Sequence, residues 1–496
     1  MTTPSATPLA GDAPPRFVPP APRVKPVDPE PGRFVAAACL VGAIAGASLP
    51  FHELGLGMAL TAVAVLTVAG WRLAEGRWRT FCLTAAGILA LTPAYRAADW
   101  VVNWALLGAV LLAAIGLPAA SSWREIGRAA WWWVAELLPA SATLLIAART
   151  AAVRRRLGAI GPVARGLLIA APLVLVFGAL FASADATFSA LVDDLSRFDA
   201  LWPTGMELRL SVAVAVTILV LALRAAARRE RAEPAAAAAT PGRILTRVEW
   251  GIALASLVGL FALFVALQLR VLFGDDDYVM RQAGLTYAEY ARRGFGQLTA
   301  VAALTLAVLA TVGARGPATD RLVRLLCAAL CLLTLVIVAS AWHRLSLYES
   351  AYGATRLRLQ THLALLWFAG TFALVLAAGA VHRGTLLPRA IVALTACLLV
   401  GFVVADPDRR IADTNVDRAI RTGSMDEQYT YDLSADAAPA LMRLDARRRA
   451  CPLSWLITSD RSIAGWNRAR ERANTLAASD PAAQFCAAHR QAPPGP

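Results

Sequence analysis

The sequence predicts an all-α fold: a polytopic transmembrane helical bundle of about eleven spans (range roughly 10–12), then a small helical C-terminal extramembrane domain. Two observations carry this. First, 58% of the 496 residues are hydrophobic and only 17% charged, and the mean hydropathy is +0.55. A soluble domain is about half apolar and about a quarter charged. The apolar residues gather in runs of about 17 to 25, the length that crosses roughly 30 Å of hydrocarbon. Second, arginine is concentrated in every second gap between those runs.

The elements follow in order. Residues 1–33 are proline-rich and poor in large apolar residues, and are expected to be a disordered cytoplasmic tail. The apolar run starts too late for a signal peptide, so Phe34–Leu49 reads as a retained first span. Leu54–Trp71, Thr80–Tyr95, Trp100–Leu117, Val163–Ser183 and Leu208–Ala226 complete the N-terminal transmembrane half, 34–227. An Arg/Glu/Ala-rich cytoplasmic linker, 228–242, leads to the C-terminal transmembrane half, 243–405. Its spans are Trp250–Phe273, Gly296–Gly313, Leu322–Trp342, His362–Val381 and Ala390–Ala405. Beyond Asp406 the apolar periodicity stops. Residues 406–496 read as a small helical extracytoplasmic domain punctuated by Gly423, Pro439, Pro452 and Gly465.

Roughly two dozen basic residues, those of the N-terminal tail included, fall in one set of gaps and about nine in the other. The positive-inside rule then puts the N terminus in the cytoplasm and, with an odd span count, the C terminus outside. The expected location is the bacterial inner (plasma) membrane. Ala129–Ala148 is apolar but holds Trp131, Trp132, Trp133, Glu136 and Pro139. A crossing there would force Arg154, Arg155 and Arg156 outside, so it reads as an in-plane or re-entrant cytoplasmic element. The net charge of +14 is dispersed over segment ends. It is topogenic, and no nucleic-acid partner is expected; the expected partners are the lipid bilayer and an envelope protein.

Ionisable side chains are nearly absent inside the spans, where ion-coupled carriers usually keep them. Polar residues collect instead in the predicted outer gaps. Asp185, Asp193, Asp194 and Asp199 form one group. A second is Asp275, Asp276, Asp277, Tyr287, Tyr290, Arg292 and Arg293. A third is His343, Arg344, Tyr348, Glu349, Tyr352, Arg356, Arg358 and His362. If the loops converge, the second and third groups make a candidate outer-face site: clustered Asp suits a divalent cation, paired Arg a phosphate or carboxylate. A solvated rim is the competing reading. No cofactor and no metal site is expected, and catalytic residues are unknown.

Two loops share a plan. Tyr278–Ala283 and Ser346–Tyr352 read as short in-plane helices closed by Gly284 and Gly353. Thr286 and Thr355 then N-cap the next spans. Thr286 with Glu289, and Ser346 with Glu349, have capping-box spacing. Gly42 and Gly46 form a small-xxx-small pair, better explained by packing within the chain than by dimerisation. Cys327 and Cys331 share a helix face without a further ligand. Cys451 and Cys486 are alone in the tail and are disulfide candidates if it faces an oxidising compartment.

The stretch Gly284-Leu-Thr-Tyr-Ala-Glu-Tyr-Ala-Arg-Arg-Gly-Phe-Gly-Gln-Leu298 resembles a signature of a bacterial membrane family, domain of unknown function 4173, to which family 4153 is related. Tyr348-Glu-Ser-Ala-Tyr-Gly-Ala-Thr-Arg-Leu-Arg358 resembles its second motif. Asn415-Val-Asp-Arg418 and Leu433-Ser-Ala-Asp-Ala-Ala-Pro-Ala-Leu441 resemble its tail. The likeness runs over roughly residues 165–450. It implies a multi-span inner-membrane protein and no particular substrate, cofactor or catalytic residue. Three functions fit: a receptor, scaffold or regulatory partner of an envelope system; a small-solute permease; and an envelope enzyme acting on a lipid-linked substrate. Enzymatic activity is uncertain, and the sequence leans against it.

The topology has a direct test in intact cells probed with a membrane-impermeant maleimide. Cys451 and Cys486 are expected to label only after reduction. Labelling that requires lysis would place the tail inside.

Overall fold

A computed structural model describes residues 31–70, 76–137, 140, 205–232, 247–273, 295–315, 320–458 and 460–488. The described secondary structure is helical throughout. Six helices are long and apolar enough to cross a membrane: Asp99–Gly116, Met206–Arg228, Val248–Ala266, Arg321–Tyr352, Arg356–Ala380 and Gly384–Val404. Gly32–Ser48, Leu56–Gly70 and Thr299–Ala314 are apolar but shorter. The chain is therefore a multi-pass helical membrane protein. The predicted fifth span, Val163–Ser183, lies outside the described residues, as do the Asp185–Asp199 group and residues 275–293.

Helices α1 (Pro31–Ser48), α2 (Leu56–Gly70), α3 (Arg77–Ala90), α4 (Thr92–Tyr95), α5 (Asp99–Gly116) and α6 (Trp123–Ala135) open the bundle. The predicted third span is broken at Leu91, between α3 and α4. Pro93 lacks an N–H and its ring crowds the preceding turn, so the helix cannot run straight on. Helix α6 starts at a capping box formed by Ser122 and Glu125. Its 13 residues reach about 20 Å, short of a crossing; residues 141–148 of that apolar stretch lie outside the described residues. Gly42 and Gly46 of α1 let the backbone of α7 (Met206–Ala232) approach so closely that a Cβ at either would strike Ala213 or Arg209. The small-residue pair thus serves packing within the chain.

Helices α8 (Arg247–Phe273), α9 (Phe295–Arg315), α10 (Arg321–Tyr352) and α11 (Arg356–Ala380) pack on one another. Helix α12 (Leu387–Val404) packs through Ala396, Phe402 and Val403 on α3 and α5. One expectation fails here. Ser346–Tyr352 is not a separate in-plane helix but the end of α10, which runs unbroken for 32 residues. No Gly or Pro interrupts residues 321–352, so nothing stops the helix. Ser346 accordingly caps nothing, and its Oγ donates to the Trp342 carbonyl at 3.0 Å. At about 48 Å, α10 is longer than the hydrocarbon thickness.

The tail folds as α13 (Pro407–Thr422), α14 (Glu427–Tyr431), α15 (Ala438–Leu441), α16 (Ala446–Trp455), α17 (Arg468–Ala478) and α18 (Pro481–Ala488). Ile411, Ala412, Val416 and Ala419 put one face of α13 into a core with Leu433, Leu441, Leu453 and Ala473. Asp426, Asp445 and Asn467 N-cap α14, α16 and α17. Gly423 ends α13 with φ 72°. Pro452, expected as a break, lies inside α16 instead. Cys451 on α16 and Cys486 on α18 are joined as a disulfide, with Cα atoms 5.2 Å apart.

Gly353 ends α10 at φ +83° and ψ 173°, a backbone region essentially confined to glycine. A Cβ there would stand 2.6 Å from Asn415 Oδ1. Gly353→Ala is expected to destabilise the fold by about 1–3 kcal/mol. Thermal unfolding of the purified protein in detergent checks this; an unchanged melting temperature would remove the strain.

Candidate functional site

Three of the predicted outer gaps, those within the described residues, meet the tail at one end of the bundle. The loop after α1, the α4–α5 corner and the α10–α11 corner all contact residues 406–470. The site is built around helix ends. Each helix leaves four N–H or four C=O groups without an intrahelical partner, and these must be satisfied wherever water is excluded.

Asp408, 1% exposed, sits at the centre. Its Oδ1 accepts from Trp100 Nε1 at 2.9 Å and Arg356 Nε at 3.1 Å. Its Oδ2 accepts from Arg356 Nη2 at 2.8 Å and the Ser434 N–H at 2.9 Å. Arg356 also donates through Nη2 to the Asp432 carbonyl at 2.6 Å. The Arg356 guanidinium lies 5.8 Å from the Trp100 ring centroid. A buried pair with its hydrogen bonds filled is stable in place, whereas removing one partner costs about 3–5 kcal/mol. This fork joins α5, α11 and α13.

The tail also caps bundle helices that do not cap themselves. Ala98, the N-cap of α5, has no side chain for the task. Asp436 Oδ2 accepts from the Ala97 and Ala98 N–H groups at 2.8 and 3.1 Å. A carboxylate there suits the positive end of the helix dipole. Arg96 closes the other polarity: Nε and Nη2 donate to the Val403 and Val404 carbonyls at the end of α12, at 2.9 and 3.0 Å. Its Nη1 stands 2.6 Å from Asp406 Oδ2 and 3.7 Å from Asp436 Oδ1. Thr355 N-caps α11 as expected, accepting from the Arg358 N–H. The Arg356 N–H donates to Tyr429 Oη at 2.8 Å.

The motif residues converge here. Asn415 pairs with Ala354 in both directions: Oδ1 accepts from its N–H at 2.7 Å, and Nδ2 donates to its carbonyl at 2.9 Å. Arg418 Nη2 donates to the Ala351 carbonyl at 2.8 Å. Arg358 donates to the Gly353 carbonyl and lies 4.3 Å from the Tyr348 ring, which in turn leans on Tyr352 at 4.9 Å. Glu349 Oε2 pairs with His362 Nε2 at 2.9 Å, and the imidazole meets Trp342 edge-on at 4.4 Å. His343 is exposed, on the same turns of α10. Arg344 lies on those turns too. Asp275, Asp276, Asp277, Tyr287, Tyr290, Arg292 and Arg293 fall outside the described residues. Among the described residues no group of three or more His, Cys, Asp or Glu side chains is placed to hold a metal.

Sequence reasoning missed Asp408, Asp436, Arg96 and Asn467. Asn467 Nδ2 donates to the Pro93 and Arg96 carbonyls at 2.7 and 2.8 Å. A signal existed for Asp408, which with Asp406 flanks Pro407 ahead of two arginines just after the last apolar run. His52, Asp460 and Ser462 mimic a nucleophile triad, but Ser462 Oγ and Asp460 Oδ2 both approach His52 Nδ1, at 3.0 and 3.7 Å. A relay needs its two partners on opposite ring nitrogens. The cluster is a turn: Asp460 accepts from the Glu53 and Ser462 N–H groups. The Ser462 hydroxyl first, and then the Ser462 and Glu53 N–H groups, pull its carboxyl down to about 2.

These features define a multi-pass membrane protein whose tail is docked on one end of its bundle. The chain belongs to the family described as domain of unknown function DUF4153, whose model matches residues 83–444. That is the family to which the motifs of the chain were related by way of 4173, and the match starts well before residue 165. No curated protein matches the chain, and no solved structure does.

Burial, and after it the neighbouring Asp406 carboxylate, pushes the Asp436 carboxyl up to about 6. Its proton is held more tightly folded than unfolded, so this group lowers stability as pH rises from about 4 to about 6. Above that window the loss is complete. Asp460, held down at about 2, acts oppositely and only at lower pH. Melting temperatures measured across pH 4 to 7 are expected to lose their fall through this window in Asp436→Asn. An identical slope in both proteins would show that Asp436 does not titrate there.

Proposed function

We propose that this protein is a receptor, scaffold or regulatory partner of an envelope system in the bacterial inner membrane, with its N terminus cytoplasmic and its tail outside. One observation supports this above the others: Arg356, Arg358, Glu349 and Tyr348, the polar residues of the second motif, are engaged in holding the corner and the tail. Reactive groups need a free face toward a substrate, whereas Arg356 is spent on Asp408 and the Asp432 carbonyl, Arg358 on the Gly353 carbonyl and Glu349 on His362. The bundle then works as a mount for an outer domain with a fixed orientation. In that setting the Cys451–Cys486 disulfide fits an oxidising compartment, and no nucleic acid is involved. The motifs at 284–298 and 348–358 further ally the chain with the related family 4173.

A permease is the second reading, favoured by the number of apolar helices. An envelope enzyme is the third reading, for which acids and arginines such as Asp276 and Arg293 are the sequence's candidates.

The readings separate by experiment. Photo-cross-linking residues placed at the exposed Ile463 and Phe485 are expected to give one discrete protein adduct in cells, lost in Asp408→Ala as the tail undocks. Proteoliposomes holding the same protein are expected to show no solute-dependent flux. Saturable flux with no adduct would overturn the scaffold reading in favour of the permease.

A further inference from the structure

A cleft of about 760 Å³ opens where the end of α12 and the start of α13 face α17. Its lining is of two kinds. Arg409 and Arg410 on α13, Arg468 and Arg472 on α17, and Arg96 at the α4–α5 corner bring positive charge. Ile88, Leu91, Tyr95 and Val404 bring apolar surface and are 43%, 39%, 49% and 67% exposed. These four belong to the ends of the apolar helices α3, α4 and α12.

The charges differ in how far they are committed. Arg96 is spent on helix carbonyls and Asp406. Arg409 stands 3.7 Å from Asp413, which Arg443 shares at 3.4 Å. Arg410 uses Nε on the Ala405 carbonyl at 2.9 Å, leaving its two terminal nitrogens. Arg468 and Arg472 are exposed, four residues apart on one face of α17, and neither makes a hydrogen bond or ion pair among the described residues. Of the cleft's carboxylates, Asp406 and Asp436 are paired with Arg96, at 2.6 Å and 3.7 Å. Asp436 also takes two backbone N–H groups, while one oxygen of each makes no hydrogen bond among the described residues. The uncommitted charge is therefore positive, and it stands directly beside apolar surface.

We propose that this cleft binds the phosphate headgroup of an anionic phospholipid, with its acyl chains lying along Leu91, Ile88 and Val404. Arginine forks match phosphate oxygens. Basic residues just beyond a membrane helix recognise anionic headgroups, and tyrosine suits that depth. The exposed aliphatic wall gives a fatty chain somewhere to lie and offers nothing to a free phosphate or an acidic peptide. The inference goes beyond the scaffold reading and stands independently of it.

The test uses the full-length protein in neutral detergent and native mass spectrometry. Phosphatidylglycerol and phosphatidylcholine with identical acyl chains are titrated in parallel. Phosphatidylglycerol is expected to bind at least about tenfold more tightly, and Arg468→Ala/Arg472→Ala to lose about tenfold or more of that affinity. Arg468→Lys/Arg472→Lys, which keeps the charge without the fork, is expected to fall between the alanine pair and the unsubstituted protein, and Arg447→Ala, outside the cleft, to keep full affinity. A photoactivatable phosphatidylglycerol on the unmodified protein is expected to label peptides spanning 404–413 or 468–472, a readout that needs no variant. Equal binding of the two lipids, full binding by the alanine pair, or labelling elsewhere would overturn the proposal. Displacement by excess inorganic phosphate would overturn it too, in favour of a soluble anion. None of these outcomes bears on the partner adducts or the solute flux.

Discussion

The Arg356–Asp408 fork is the interaction on which the arrangement depends. Asp408 has no exposed surface on its side chain. A carboxylate there is tolerable only because four donors meet it from Trp100, Arg356 and Ser434. Those donors come from three separate stretches of chain. The charge therefore specifies their meeting more sharply than apolar packing could, since any other docking leaves a buried ion unanswered. The apolar contacts of Ala97, Trp100, Ala354 and Leu359 with the tail core supply area but little direction.

Around the fork, the two layers complete each other's helix ends. Asp436 closes the start of α5, Arg96 the finish of α12, and the Tyr429 hydroxyl the first turn of α11. Membrane helices usually finish in the headgroup zone, where water satisfies the last groups. Here protein does so instead. Each bond is worth only about 0.5–1.5 kcal/mol net, yet an unmade one in a dry interface costs more than it would return.

Legibility in the sequence followed the range of the forces involved. The apolar helices were readable because span length and hydropathy are properties of one continuous segment, and α11 and α12 appear within a few residues of expectation. The stop at Gly353 and the cap at Thr355 were readable because both are local. The Ser346 helix start was not real, since a capping pattern inside an uninterrupted helical run has no end to cap. Asp408 and Asp436 escaped notice because a carboxylate's partner hundreds of residues away leaves no trace in spacing. Their role became visible only where the chain returns to Ala97, Trp100 and Arg356.

Cross-capping also has a consequence in time. The groups that finish α5 and α11, Asp436 and the Tyr429 hydroxyl, are made after both helices. Until those residues arrive, the bundle carries open helix termini and a bare apolar rim. A ribosome-bound or prematurely ended chain is thus chemically distinguishable from a finished one at a single face. Membrane proteases and chaperones that survey unsatisfied backbone would meet that difference there.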